Sequence, residues 1–242
     1  MKRVQIIMSK EKEITNETVT ELITAGVIVG HKRSKTHPRM KPFIAMNRNE
    51  IEFLDPESSL QSIEDAAKFL ATRLGPDDIM LCTGTTAPVS GLVKEFAEMH
   101  KYPYVITRWL GGTLTNFKAI NDRVKYYVDL KAKKEKGELD KYTKKEQLKF
   151  SEEIVKMARS FDGLLTLTKL PAVLFVVDAK ACDTAVKEAN KLGIPVVAII
   201  DTDDNPKEIT HPIFANDHAK QSVEWVLKQL HEKLKVARKS AE

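Results

Sequence analysis

The sequence contains little cysteine and no long apolar run. Its two cysteines, Cys82 and Cys182, lie far apart and form no CxxC pair, which argues against a disulfide framework and a zinc ribbon and favours small buried residues. No window reaches the continuous apolar length of a membrane span, and the N-terminus lacks the apolar core of a signal peptide. We therefore expect a soluble intracellular protein without a membrane partner.

Recognisable catalytic motifs are also absent. The chain contains no HExxH, GxSxG, GxGxxG or P-loop sequence. The nearest approach to a phosphate-binding turn is 83–86, which suits an ordinary connection between a strand and a helix equally well. Asp178 and Asp201 each end an apolar strand, but no nucleophile accompanies them. The pattern favours a protein without catalysis, and an enzyme or nucleotide-binding protein using these residues remains the alternative.

Positive charge is present in excess and is concentrated in two stretches. The formal net charge is +5. Segment 30–49 contains six cations and no acid, and segment 118–159 contains 13 basic against 8 acidic residues. Charge gathered at defined surfaces is typical of a protein with an anionic partner. The first segment suits an RNA backbone, whereas the lysine-rich second segment is equally compatible with a solvated helix face.

Two apolar runs indicate a buried parallel sheet. Residues 172–178 and 195–201 are almost entirely apolar, and each run ends in an aspartate. Continuous rather than alternating apolar residues indicate strands covered on both faces. Further short strands are expected at 51–54, 79–82 and 104–106, separated by amphipathic helices. This alternation predicts a doubly wound α/β domain in which a parallel sheet is flanked by helices.

A pair of helices interrupts the alternation of strands and helices. Ile120, Val124 and Tyr127 recur at helical spacing, and Thr143 with Glu146 forms a capping box that begins a second helix. The pattern predicts an inserted antiparallel coiled-coil hairpin. The expected organisation is a flexible N-terminal segment at 1–15, an α/β domain in two parts at 16–114 and 163–236, the hairpin at 115–162 and a C-terminal tail at 237–242.

Segment 108–117 joins a predicted strand to this hairpin. Arg108 offers a planar set of donors that matches a phosphate, and Trp109 offers a flat apolar face. Gly111 and Gly112 permit a left-handed backbone or a close approach. The polar residues that follow are expected to cap the next helix: Thr113, Thr115 and Asn116. A packed turn and a binding loop both suit this composition.

Histidine and acidic residues form a candidate metal site. If their loops meet at one end of the sheet, nitrogen and oxygen ligands for a divalent cation would come together there. The candidates are His31, Asp201, Asp204, Asp217 and His218. For His31, a hydrogen-bonding role inside the fold is equally open.

Segment 108–117 closely resembles a signature of the bacterial-type small-subunit ribosomal protein two family. The resemblance extends over about 19–234. In this range Ile28 stands where many members of the family carry a second histidine near His31. Further matching segments lie, in order, at 25–31, 38–44, 174–178, 188–202 and 216–217.

The resemblance implies a flavodoxin-like sheet with a protruding hairpin, in a structural protein of translation without a required cofactor. The implied location is cytoplasmic, in the small ribosomal subunit. The implied partners are small-subunit rRNA and neighbouring ribosomal proteins, with ribosomal protein one as a partner in some bacteria, and no small-molecule substrate. An adaptor whose hairpin binds another protein is a third alternative.

The residues expected to contact rRNA fall into two groups. The first group, in segment 30–49, comprises Lys32, Arg33, Lys35, Arg39, Lys41 and Arg48. The second group, at the base of the hairpin, comprises Arg108, Asn116, Lys118, Arg123 and Lys125. Trp109, Gly111 and Gly112 are expected to fix the geometry that directs the hairpin.

Overall fold

A computed structural model describes residues 16–75 and 77–239, with side chains described for 18–75 and 77–235. The predicted flexible segment 1–15 and residues 240–242 lie outside the described residues. The strands are β1 Val29–Lys32, β2 Ile44–Arg48, β3 Ile51–Leu54, β4 Met80–Thr83, β5 Tyr104–Val105, β6 Val173–Val177, β7 Val196–Ile200 and β8 His211–Phe214. The helices are α1 Asn16–Thr24, α2 Pro56–Arg73, α3 Ala87–Met99, α4 Phe117–Glu135, α5 Lys144–Phe161, α6 Asp183–Lys191 and α7 Lys220–Lys239.

The parallel strands form one five-stranded sheet at the centre of the domain. Its order is β5-β4-β6-β7-β8, and every neighbouring pair runs parallel. All residues of β6 and β7 are buried, as their continuous apolar runs predict. Full burial of an aliphatic side chain stabilises the fold by about 1.5–3 kcal/mol, so these two strands anchor the sheet.

The strand order determines the faces on which the helices lie. From β4 the chain moves to β5 on one side, whereas from β6 it moves to β7 and β8 on the other. Right-handed connections therefore place α3 and α6 on opposite faces of the sheet. This order, with its reversal between β4 and β6, is the flavodoxin-like one. The structure thus fits the expected parallel α/β sheet flanked by helices.

A second sheet of three antiparallel strands holds the basic stretch 30–49. Its order is β1-β3-β2. Only β3 is expected from the sequence, because β1 and β2 are short and largely exposed and so show no clear apolar pattern. Pro38 and Pro42 lie between them in a 3-10 helix, Pro38–Phe43, since proline excludes a regular α-helix at this point.

Strand β8 also lacks a clear signal in the sequence. Pro212 interrupts it, and proline is tolerated because β8 lies at the edge of the sheet. Helix α2 covers this edge, and the backbone N–H of Phe214 donates to Ser62 Oγ at 3.1 Å. Helix α7 runs to Lys239, into the predicted tail, because no proline or glycine interrupts it.

Helices α4 and α5 pack against each other beside the sheet. The Tyr127 hydroxyl of α4 donates to Asp162 Oδ1 at 2.6 Å, and its ring lies 6.5 Å from that of Phe161. The predicted capping box of Thr143 and Glu146 is confirmed at the start of α5. Both helices fall within 115–162, the segment assigned to the hairpin from the sequence.

Both cysteines are buried, and burial raises the pKa of each thiol above its ordinary value. They act as small apolar residues, as the sequence predicts. Within 16–75 and 77–239, no helix has both the length and the apolar character that crossing a membrane requires.

Two glycines allow a paired test of the packing. A Cβ on Gly163 would lie 2.2 Å from the carbonyl oxygen of Tyr104, whereas a Cβ on Gly91, inside α3, would meet no atom within 4 Å. We expect Gly163→Ala to lower the free energy of unfolding by about 1–3 kcal/mol through overpacking. Gly91→Ala should raise it by about 0.5–1 kcal/mol. Urea denaturation measures both, and equal effects of the two substitutions would contradict the described contact.

Candidate nucleic-acid interface

The six predicted cations of segment 30–49 lie on an exposed surface formed by the antiparallel sheet and two 3-10 turns, Arg33–Lys35 and Pro38–Phe43. We call this the basic surface. Lys32 and Arg48 end strands β1 and β2, and the others lie in the turns between them. Met40, which is fully buried, holds the second turn against the core. All six cationic side chains are exposed: Lys32, Arg33, Lys35, Arg39, Lys41 and Arg48.

The basic surface is rigidly attached but electrostatically unpaired. The backbone N–H of His37 donates to the carbonyl of Thr202 at 2.8 Å, which ties the turns to the end of β7. Among the described residues, none of the six cations forms an ion pair. Arg39 Nη1 donates only to the neutral Asn205 Oδ1, at 3.1 Å. The surface therefore keeps its charge available for an anionic partner.

The loop 108–116, which follows β5, is a packed turn. Trp109 is buried and therefore offers no free stacking face. Gly112 adopts a left-handed backbone with φ +90°, whereas Gly111 does not, and a Cβ on Gly111 would meet no atom. The backbone therefore does not require glycine at 111, and the expected role of Gly111 in directing the hairpin stays a prediction. Thr113 Oγ1 donates to the carbonyl of Leu110 at 2.6 Å and closes the turn.

A single carboxylate, that of Glu188 on α6, holds this loop. Its Oε1 accepts from Trp109 Nε1 at 3.1 Å and from the backbone N–H of Gly112 at 2.7 Å. Its Oε2 accepts from the backbone N–H groups of Leu114 and Thr115, both at 3.0 Å, and from Thr115 Oγ1 at 3.1 Å. The expected capping by side chains of the loop is wrong, because Asn116 makes no such bond and Glu188 accepts from the loop instead.

Glu188 is ionised although it is only 8% exposed. Burial by itself raises the pKa of a carboxyl group, but the hydrogen bonds from Thr115, Gly112, Trp109 and Leu114 outweigh burial and hold the pKa of Glu188 below its ordinary value. Glu188 was not among the predicted site residues. The signal for it was an acid at a position that should face the core, next to Ala185 and Ala189 on the buried side of α6.

The second predicted group of residues is exposed at the start of α4. Arg108 and Asn116 flank the packed turn, and Lys118, Arg123 and Lys125 follow on the helix. The loop leaves the carboxyl end of β5, and the basic surface meets the carboxyl end of β7, three strand positions away. At about 4.8 Å per strand this is about 14 Å across the sheet. Both groups thus lie at the same end of the sheet.

The five candidate metal ligands do converge at this end of the sheet. His31 Nδ1 lies 2.9 Å from Asp201 Oδ2, and the His31 ring lies 5.1 Å from that of His218. His218 in turn hydrogen bonds to Asp217. The structure adds three residues that the sequence did not single out for this cluster: Asp178, Lys180 and Asp203.

The cluster consists of charge pairs rather than a metal cage. Each histidine uses its Nδ1 on a carboxylate, and Asp204 Oδ2 accepts from the backbone N–H of Asp201 at 3.1 Å. Within the cluster, Asp217 Oδ2 is buried without a partner. The described part of the chain contains no group of three or more histidine, cysteine or acidic residues that could hold a metal ion. The arrangement therefore gives no support to the metal site, and a bound divalent ion stays a prediction.

The turn 83–86 is used internally. Thr86 Oγ1 donates to Asp178 Oδ2 at 2.7 Å, and the hydroxyls of Thr83 and Thr85 each lie 3.7 Å from Cys182 Sγ. A Cβ on Gly84 would lie 2.7 Å from Val93 Cγ2, so packing against α3 accounts for this glycine. These contacts favour an ordinary strand-to-helix connection over a phosphate cradle.

The charge cluster predicts a dependence of stability on pH. The hydrogen bond to Asp217 raises the pKa of His218 to about 9, and burial raises the pKa of Asp204 and of Asp217. Each group binds its proton more tightly in the folded protein, so its contribution is present at low pH and is lost as pH rises through the folded pKa. For His218 the window is about pH 6.5 to 9.

We therefore expect the free energy of unfolding to fall from pH 6.5 to pH 9, as measured by urea denaturation. His218→Asn should reduce this fall. His211→Asn is the control, because burial lowers the pKa of His211, in the direction opposite to that of His218. A fall that His218→Asn leaves unchanged would contradict the assignment to His218.

Comparison with known proteins agrees with this geometry. The family model described as ribosomal protein S2 matches residues 22–236. A relative from Dictyoglomus thermophilum is 39% identical over 210 residues, which is 87% of this chain and 85% of the relative. One from Rhodopirellula baltica is 39% identical over 217 residues, covering 90% and 84%. One from Marinobacter nauticus is 36% identical over 221 residues, covering 91% and 88%.

All three relatives carry the name small ribosomal subunit protein uS2. The matched range contains the basic surface, the loop 108–116 and the helices α4 and α5, which together we call the arm. The chain therefore belongs to the ribosomal protein S2 family.

Proposed function

We propose that this protein is a structural, non-catalytic constituent of the small ribosomal subunit that binds small-subunit rRNA and acts in translation in the cytoplasm. The observation that carries the proposal is the basic surface, with six exposed cations on a rigid support and no ion pair among the described residues. The names of the relatives support the assembly in which it would act.

Phosphate is the ligand chemistry that the basic surface fits best. Arginine and lysine bind phosphate oxygens through charge-assisted hydrogen bonds, and structured RNA is recognised largely through its backbone and shape. The two 3-10 turns present Arg33, Lys35, Arg39 and Lys41 along one continuous piece of chain. Such a surface can follow successive phosphates without reading base identity.

The arm supplies the second proposed contact. We assign α4 and α5 to an inserted antiparallel coiled-coil hairpin, supported by their mutual packing. Lys118, Arg123 and Lys125 lie within the first turns of α4 and are exposed. Leu148 and Val155 are also exposed on α5, which suits contact with a neighbouring ribosomal protein. Docking of ribosomal protein one stays a prediction.

The enzymatic alternative has less support from the structure. The hydroxyls of the turn 83–86 contact Asp178 and Cys182, and both strand-end aspartates lie within the charge cluster. A catalytic acid or base needs a group that can reach a substrate, whereas Asp201 is 1% exposed and bonded to His31.

Replacing two cations tests the rRNA-binding proposal. We expect Arg39→Ala with Lys41→Ala to weaken binding to small-subunit rRNA and to reduce the slope of log K against log salt by about 1–2. The reason is that binding releases fewer counterions from the RNA when fewer phosphate contacts are formed. Filter binding at several salt concentrations measures both quantities.

The control variant changes net charge by the same amount at other sites. Lys68→Ala with Lys228→Ala removes two exposed cations from α2 and α7, and we expect an unchanged salt slope. Equal losses in the two double variants would show that binding depends on net charge alone, which would remove the basic surface from the proposal.

A further inference from the structure

We propose that Glu188 is the positioning residue that fixes the direction of the α4–α5 arm, by holding the donor groups at its root. The geometric part of this inference stands on the contacts alone. Its consequence for RNA rests on the rRNA-binding function proposed above.

The donors at the root of the arm converge on one carboxylate. Three backbone N–H groups, one indole N–H and one hydroxyl lie within 3.1 Å of the two oxygens of Glu188. A carboxylate offers about four lone-pair directions, so its accepting capacity is used up. In the described part of the chain, every hydrogen bond between the loop 108–116 and α6 ends on Glu188.

This internal anion occupies the place where an external one would bind. The N-terminus of a helix preceded by free backbone N–H groups is a common phosphate site. Here Gly112, Leu114 and Thr115, just before α4, already donate to Glu188. These three N–H groups are therefore not available to an RNA phosphate, and we assign the RNA contact at this point to the side chains of Arg108 and the arm.

The contact joins the arm to the buried centre of the sheet. Helix α6 packs against β6 and β7, the fully buried strands of the sheet. Two other bonds at the root, Thr107 Oγ1 to the carbonyl of Arg159 at 2.8 Å and Tyr127 to Asp162, involve the arm's own return segment. Val124, Tyr127 and Phe161 of the arm also pack in the apolar core, and Glu188 is the hydrogen-bonded link from the root of the arm to the helix α6.

Small changes at the root become large at the tip. A 19-residue helix such as α4 is about 28 Å long at 1.5 Å per residue. A tilt of about 10° at its base would move the tip by about 5 Å and would move Arg123 and Lys125, roughly 9–12 Å along the helix, by about 2 Å. Both displacements exceed the tolerance of a hydrogen bond. Loss of Glu188 should therefore cost the RNA contacts of the arm even where the domain stays folded.

The direct test measures the orientation of the arm in the full chain. Spin labels are placed at Lys136→Cys, in the turn between α4 and α5, and at Lys228→Cys on α7, both exposed positions, while the two native cysteines are buried. We expect a narrow distance distribution in the parent protein and one at least twice as broad in Glu188→Ala. Val186→Ala, another buried position on α6, is the control and should stay narrow.

Chemical rescue separates positioning from simple loss of stability. Glu188→Ala lacks a CH₂–COO⁻ group, which is what acetate supplies. We expect acetate, but not chloride at equal ionic strength, to restore the narrow distribution. Glu188→Gln should be broad and insensitive to acetate, because its side chain still fills the space and presents an N–H₂ group to N–H donors.

Binding to small-subunit rRNA supplies the functional readout. If the contacts of Arg123 and Lys125 are lost, the slope of log K against log salt should fall by about 1–2 in Glu188→Ala and recover in acetate. A narrow distribution in Glu188→Ala, equal broadening in Val186→Ala or absence of acetate rescue would each overturn the proposal. Failure of the parent protein to bind rRNA would overturn the proposed function instead, while the distances would still decide the role of Glu188.

Discussion

The buried carboxylate of Glu188 is the constraint on which the loop 108–116 depends. An ionised group inside a protein is costly unless hydrogen bonds replace its water, and the buried backbone N–H groups of a loop are costly unless an acceptor reaches them. In this structure the N–H groups of the loop donate to the carboxylate of Glu188, which is only 8% exposed, and so both costs are avoided. The arrangement also joins two halves of the chain that are about 75 residues apart, since the loop follows β5 and Glu188 lies between β6 and β7.

Among the described residues, charged side chains are paired in the charge cluster but unpaired on the basic surface, although both lie at the same end of the sheet. In the charge cluster, Asp178, Asp201 and Asp203 face His31, His218 or Lys180 within 4 Å, so their negative charge is largely balanced. On the basic surface, six cations face solvent without an acid among them. An approaching polyanion therefore meets a positive field at the surface, because the nearby carboxylates are already paired.

The elements with a continuous local pattern could be predicted from the sequence. Elements that depend on contacts between distant segments could not. The apolar runs of β6 and β7 and the capping box of α5 are strong local signals, and all are present. Strands β1, β2 and β8 are short, exposed or broken by proline, so tertiary pairing defines them.

The candidate site was predictable in the same uneven way. The exposed cations could be named because charge density is a local property, and their clustering on one sheet follows from pairing that the sequence does not show. The expected capping of α4 by Asn116 was wrong, and the acceptor that holds the preceding loop is Glu188, 73 residues after Thr115, which the local sequence does not show. The strand-end acids did indicate that polar groups gather at one end of the parallel sheet, whereas the approach of His31, in β1 of the antiparallel sheet, to Asp201 follows from tertiary packing.

The most direct test of the central claim is sedimentation of the protein with small ribosomal subunits from its own host. An rRNA-bound component should co-sediment at low salt and be released as salt rises, because its affinity depends on phosphate contacts. A protein found only in the free pool at low salt would contradict the account and would direct attention to another use of the same fold.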